Sequence, residues 1–175
     1  MDRAEVNEFV RNVQPDVEQR PQMNEAMTRA TVIRPPFFDL LDWKVPDTAT
    51  VEYPVSEYKN SRRVDYALVV DNTPLAFIEA KGLHTDIVDN HREQIEYYMR
   101  NEGVNFGILT NGAEFEFFRR KIGDDSVYIQ TIGPIQLGDL PSRYDVLEIY
   151  ERQKIERGES GQKWEVIKEL ESTRQ

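Results

Sequence analysis

The sequence contains no cysteine and only two histidines, His84 and His91. No disulfide framework is expected, and no thiolate metal site. No apolar run approaches membrane-spanning length. Met1 to Arg20 is polar and charged rather than leader-like, so a cytoplasmic protein with no membrane partner is expected. The chain has no Gly-x-x-x-x-Gly-Lys-Ser/Thr loop, which excludes an ATP site of that type. It has no internal repeat and no low-complexity tract. Positive charge is in short supply as well: 22 Lys and Arg stand against 32 Asp and Glu, a formal net charge of −10.

The 175 residues suffice for a core without staples and are expected to form one domain over 1–175, with a core over about 22–133 and a helical extension over about 140–175. Met1 to Gln19 reads as a short, polar, fraying helix. Asn24 is placed to cap a helix that runs to about Ile33, and Pro35-Pro36 interrupts it before a second apolar helical stretch from Phe37 to Trp43. Val51 to Val55 alternates as a strand, and Pro54 puts that strand at a sheet edge.

Two β-branched-rich apolar segments follow, Arg63 to Val70 and Leu75 to Lys81, on either side of the polar turn Asp71-Asn72-Thr73-Pro74. This is the pattern of a β-hairpin. Its strands are apolar on both faces, so it is expected to lie centrally in the sheet with layers on both sides. Glu79 and Lys81 are two residues apart and project from one face, while Ala80 points the other way into packing. Asp65 lies on the neighbouring strand. Two carboxylates can hold Mg²⁺, which prefers hard oxygen ligands, and a Lys nearby can orient or polarise water for attack on a phosphodiester. The alternative is an edge-strand salt bridge between Glu79 and Lys81 or a neighbour.

Register separates the two readings. With Val70 opposite Leu75, Asp65 pairs with Ala80 and faces away from Glu79 and Lys81. The three meet only if the pairing shifts by one, through a three-residue loop or a β-bulge.

After Lys81, the segment from about Asp86 to Glu102 is helical, with Asp89 or Asn90 near its cap and Gly103 just past its end. Val104 to Thr110 and Glu114 to Phe118, joined at Asn111-Gly112, form a second hairpin. Val127 to Ile132 adds a strand, Tyr144 to Arg157 an amphipathic helix, Gly158 to Gly161 a linker, and Trp164 to Leu170 a last helix. The fold class is therefore α/β, a mixed central sheet flanked by helices.

Val64-Asp65, thirteen residues, then Glu79-Ala80-Lys81 resembles the PD-(D/E)xK nuclease superfamily, whose fold is restriction-endonuclease-like. The wider context resembles the N-terminal nuclease domain of type I restriction enzyme R subunits. Asn24 to Arg29 with Pro35 to Trp43, then Glu52 to Val55, Arg63 to Leu68, Ile78 to Lys81 and Gly107 to Gly112 match that family's blocks in order. The resemblance implies an Mg²⁺-dependent DNA endonuclease of a restriction–modification defence system, with Mn²⁺ as a substitute. Asp65 and Glu79 would bind metal, Lys81 would assist the nucleophile, and cleavage would leave 5′-phosphate and 3′-hydroxyl ends. Glu25 sits where relatives carry an acidic residue that can join the metal site; otherwise it is an ordinary first-turn Glu. Val64 replaces the Pro of the motif, at a position that supplies no ligand. R subunits continue into ATP-driven translocase domains, so translocase, methyltransferase or specificity subunits are the partners implied besides DNA.

Gln94 and Tyr98 are four apart on one helix face. Their spacing resembles an accessory motif of RecB-like and type I nucleases, where the two residues touch DNA or buttress the site. The alternative is plain packing of an amphipathic helix. Arg29 and Arg63 are the candidate DNA contacts nearest the motif; they belong to the basic groups Arg29 with Arg34 and Arg62-Arg63, and Arg119-Arg120-Lys121 is a third. The histidines read as a loop residue and a solvated helix residue.

Net acidity runs against phosphate binding, which depends on Lys and Arg releasing counterions. A salty host cytoplasm and partner subunits that carry the DNA affinity both explain it. A catalytically silent nuclease-fold module for DNA binding or assembly is the alternative function. Retention of Asp65, Glu79 and Lys81 together favours the enzyme.

Overall fold

The computed structural model describes residues 1–56 and 62–173. The two apolar segments pair as expected: β2 (Arg62–Val70) and β3 (Thr73–Ala80) form an antiparallel hairpin. Its turn is tighter than the four residues read from the sequence. Asp71 and Asn72 alone reverse the chain, at φ 49° and 62°, in the left-handed region that Asp and Asn tolerate best after Gly. Val70 pairs with Thr73 and Val69 with Pro74; the register then slips by one between Leu68 and Val69, so that Leu68 pairs with Ala76 and Tyr66 with Ile78. This is the β-bulge route to the required shift, with Leu75 as the extra residue.

The other strands are β1 (Ala49–Val55), β4 (Phe106–Thr110), β5 (Glu114–Ile122) and β6 (Val127–Gln136). Among the described residues they form a six-stranded sheet in the order β1-β2-β3-β4-β5-β6. Only β3 and β4 run parallel, because α4 (Asp89–Glu102) crosses over between them. The result is the expected mixed sheet flanked by helices, consistent with a restriction-endonuclease-like domain. The hairpin is interior and β1, with Pro54, is an edge.

Each face carries its own apolar cluster. On one, α4 lays Ile95, Tyr98 and Met99 against Ala67, Phe77, Leu109 and Phe118. The approach to β4 is close: a Cβ on Gly107 would stand 2.6 Å from Met99 Sδ and 3.2 Å from Ile95 Cδ1. Helix α4 begins at Asp89, with Val88 in the cap position rather than Asp89 or Asn90, and ends at Gly103 with φ 69°.

The opposite face is covered by α1 (Arg3–Gln19), α2 (Glu25–Thr28) with a wide-turned continuation over Arg29–Phe37, α3 (Phe38–Leu41), and the C-terminal helices α5 (Tyr144–Leu147), α6 (Arg152–Glu156) and α7 (Ser160–Ser172). Helix α1 corrects the expectation of a fraying polar segment. Asp2 and Glu5 close a capping box, and Val6, Phe9, Val10 and Val13 form a buried stripe that the polar average concealed. Asn24 caps α2 as expected, and Arg34, at φ −128° and ψ 113°, interrupts the helix before Pro35.

The single helix expected over Tyr144 to Arg157 is also corrected. The chain runs through α5 and a 3₁₀ turn at Glu148–Tyr150, leaves helical geometry at Glu151 (ψ 131°) and re-enters at α6. Tertiary anchors account for the break. Tyr150 is fully buried with its hydroxyl 3.0 Å from the Gly107 carbonyl, and Trp43 Nε1 donates to the Tyr150 carbonyl at 2.8 Å. Ser160 and Gly161 belong to α7, so the linker before it is shorter than expected. No helix among the described residues is long and apolar enough to cross a membrane.

Candidate active site

On the α4 face of the hairpin, Ala67 and Phe77 pack side by side; two positions further along each strand come Asp65 and Glu79. The backbone ladder stops at the Tyr66–Ile78 pair, and beyond it the carboxylates take over. The Ala80 N–H donates to Asp65 Oδ2 at 2.7 Å, and the Asp65 N–H reaches Glu79 Oε2 at 3.4 Å. Both side chains are buried, Asp65 7 % and Glu79 4 % exposed. The bulge decides this juxtaposition. Carried on unshifted, the register at the turn would place Asp65 across from Ile78.

Lys81 Nζ donates to Glu79 Oε1 at 2.7 Å, and Ala80 points away into the opposite cluster. The Glu79–Lys81 salt bridge of the alternative reading therefore exists, but on an interior strand. Gln94 joins from α4. Its Nε2 lies 3.1 Å from Glu79 Oε1 and 2.8 Å from the Tyr98 hydroxyl, and its Oε1 lies 3.4 Å from Lys81 Nζ. Tyr98 both packs, at 1 % exposure, and meets Gln94.

From the helical side, Arg29 Nη1 lies 3.0 Å from Asp65 Oδ1 and 2.7 Å from Glu52 Oε1. Its Nε donates to the Tyr66 hydroxyl at 3.2 Å, and the guanidinium stands 4.9 Å over the Tyr66 ring. Glu25 is exposed, in the first turn of α2, and close enough for its charge to act on Asp65 and Lys81. A Cβ on Gly82 would lie 3.2 Å from the Glu25 nitrogen, so Gly82 permits α2 to abut the end of β3. The Leu83 N–H secures the contact, 2.9 Å from the Met23 carbonyl and 3.1 Å from Thr28 Oγ1.

The site holds its carboxylates away from their ordinary ionisation. Burial, then the charge of Asp65, push Glu79 up to about 7 despite Lys81. Burial raises Asp65 too, against the Ala80 N–H and Arg29. Burial alone would lower Lys81, but Glu79 outweighs it and the ammonium is held charged. Two desolvated oxygen donors separated by a backbone N–H form a site that a hard divalent cation would stabilise. Among the described residues no group of three or more His, Cys, Asp or Glu side chains is arranged to hold a metal; the acidic oxygens that meet here are those of the Asp65 and Glu79 pair.

Other candidates sit elsewhere. Arg63 is exposed, two residues before Asp65, with Nη1 3.4 Å from the Glu52 carbonyl. The cluster Arg119-Arg120-Lys121 is committed internally: Arg119 and Lys121 pair with Glu165 at 2.6 and 2.8 Å, and Arg120 meets Asn105. His84 Nδ1 lies 3.1 Å from the Met23 carbonyl, and His91 Nδ1 accepts from the Val88 N–H. Two features were missed in the sequence. Glu116, buried on β5, makes a two-pronged pair with Arg92 of α4 at 2.6 and 2.8 Å; a lone Glu within the run Phe115 to Phe118 was the available signal. Glu52 takes φ 53° in mid-strand, which no local sequence signal announces.

No curated protein matches the sequence. Residues 44–135, more than half of the chain, match the family described as the type I restriction enzyme R protein N terminus. The matched stretch holds Asp65, Glu79, Lys81, Gln94 and Tyr98, while Glu25 and Arg29 precede it. The chain belongs to the type I restriction enzyme R protein N-terminal family.

Proposed function

We propose that this chain is a metal-dependent endodeoxyribonuclease that hydrolyses DNA phosphodiesters for a restriction system, with Mg²⁺ or Mn²⁺ held by Asp65 and Glu79. The observation that carries the reading is the convergence of two buried carboxylates and a charged Lys where the β2–β3 ladder opens. Divalent metal in such a site supplies Lewis-acid polarisation and water activation.

The chain's own residues do the rest. Asp65 is held by the Ala80 N–H, so one of its oxygens keeps a fixed direction. Lys81 presents a persistent positive charge beside Glu79, suited to orienting the attacking water and to countering charge that builds on the phosphoryl oxygens. Gln94 touches both Glu79 and Lys81 and fixes their spacing, with Tyr98 behind it. Arg29, beside Asp65, and Arg63, two residues before it, would meet phosphates flanking the scissile one, and Glu25 would add negative charge on the side of α2. Subunits of a restriction complex supply affinity that a chain of net charge −10 lacks.

A plasmid nicking assay with Mg²⁺ or Mn²⁺, at low and at high salt, tests the reading. Metal-dependent conversion of supercoiled to open-circular DNA, lost in Asp65→Asn, is expected. DNA binding without nicking under every condition would favour the silent assembly module.

A further inference from the structure

Glu52 departs from its surroundings in two ways. It lies mid-strand on β1, between residues in regular pairing with β2 (Val51 with Tyr66, Tyr53 with Val64), yet takes φ 53°. A non-glycine residue in that conformation is strained and persists only where its surroundings impose it. The continuing register also sets Glu52 across from Asp65. Between the two stands Arg29 Nη1, 2.7 Å from Glu52 and 3.0 Å from Asp65. One guanidinium nitrogen thus serves two carboxylates, one buried (9 % side-chain exposure) and one open (46 %). Beside it opens a cavity of about 320 Å³ lined by Arg29, Arg34, Val51 and Tyr66.

A shared cation and an isolated one behave differently when Asp65 acquires a new partner. If Arg29 had only Asp65, any divalent cation there would either compete with the guanidinium or strand it without a counter-charge, at a cost in either case. With Glu52 present, Arg29 can yield Asp65 and stay where it is. Arg29 and Arg34 both line the cavity, where planar, forked donors suit a phosphate.

Building on the metal-dependent reading above, we propose that Glu52 is a positioning residue. It retains Arg29 beside the site while Asp65 exchanges that guanidinium for a divalent cation, and so keeps Arg29 available to a backbone phosphate of the substrate. The strained backbone is the means by which the Glu52 carboxylate reaches across to Arg29.

Three measurements on the full chain test this. In calorimetric titration with Mn²⁺ alone, Arg29→Ala should bind the ion more tightly, because a competitor for Asp65 is gone. Glu52→Gln should bind it more weakly, because Arg29 then rests on Asp65 alone. In single-turnover cleavage at saturating Mn²⁺, Glu52→Gln should be slower by about tenfold, the scale of one hydrogen bond to a charged group. The same change made in an Arg29→Ala background should cost nothing further. Finally, metal-free Glu52→Gly should melt no lower than wild type, since Gly takes the left-handed conformation without strain. A Glu52→Gln defect of equal size in both backgrounds overturns the proposal, as does weaker Mn²⁺ binding by Arg29→Ala. A wild-type chain that neither binds Mn²⁺ nor cleaves DNA removes the metal-dependent reading itself, whereas binding and cleavage without coupling between Glu52 and Arg29 remove only the positioning role.

Discussion

Gln94 Nε2 stands 3.1 Å from Glu79 Oε1, so α4 delivers a polar side chain to the carboxylate of the strand it covers. The same amide group meets the Tyr98 hydroxyl one turn later at 2.8 Å. This chain of contacts ties the helix to the chemistry of the site and gives it separable consequences.

Gln94→Ala should slow nicking while leaving the melting temperature close to wild type, because Gln94 is only partly buried. Tyr98→Phe should also slow nicking mildly, since it deletes the hydroxyl that orients Gln94 and keeps the ring. Tyr98→Ala should destabilise the fold by about 3–5 kcal/mol, as large aromatic truncations in a core do. Unchanged nicking in both Gln94→Ala and Tyr98→Phe would reduce the pair to packing.

Asp65→Asn and Glu79→Gln should each abolish cleavage and weaken Mn²⁺ binding in a calorimetric titration. The amide variants are preferable to Ala at position 65. Asp65→Ala would orphan the Ala80 N–H, and a buried donor without a partner costs about 1–3 kcal/mol. A loss of activity in Asp65→Ala would therefore mix chemistry with stability. Wild-type cleavage in either amide variant would show that the metal site is misassigned.

Lys81→Ala should reduce cleavage severely yet leave Mn²⁺ binding normal or slightly tighter, because a positive charge 2.7 Å from Glu79 is removed. Calorimetry and nicking together read this out. Loss of ion binding would assign Lys81 a structural role, holding Glu79 in place.

The metal-free protein should lose stability as pH rises from about 4.5 through about 7. Glu79 has an ordinary value of 4.5 and is pushed up to about 7 in the folded state. Between those values the folded chain retains a proton that the unfolded chain has released, so stability is fully present below the lower value and declines toward the upper one. Glu79→Gln should flatten this window in thermal melts. A wild-type melting temperature that climbs relative to Glu79→Gln over the same range would mean that the Lys81 ion pair outweighs burial.

Much of the architecture was legible because local chemistry and tertiary outcome agree. The Asn111-Gly112 turn between β4 and β5, the Gly103 end of α4, the Asn24 cap of α2 and the edge position of the strand holding Pro54 are each set by backbone preferences of a few residues. Elsewhere the two diverge. Averaged polarity hid the Val6–Val13 stripe of α1, because a helix needs only one apolar face to dock. An amphipathic run from Tyr144 to Arg157 looked continuous, because nothing local announces that Tyr150 is bonded across the sheet to Gly107.

The candidate site divides along the same line. Sequence by itself determined that Glu79 and Lys81 share a face, because alternation along a strand is covalent geometry. It also narrowed the position of Asp65 to two registers. Which register holds was decided by the bulge at Leu75, a compromise between a two-residue turn and burial of Ala67 and Phe77 beneath α4. The Arg29 bridge from Asp65 to Glu52 and the Glu116 pair with Arg92 were decided only in three dimensions. Both join residues far apart in the chain, and an ion pair of that kind follows from how packed layers bring charges together rather than from any spacing along the chain.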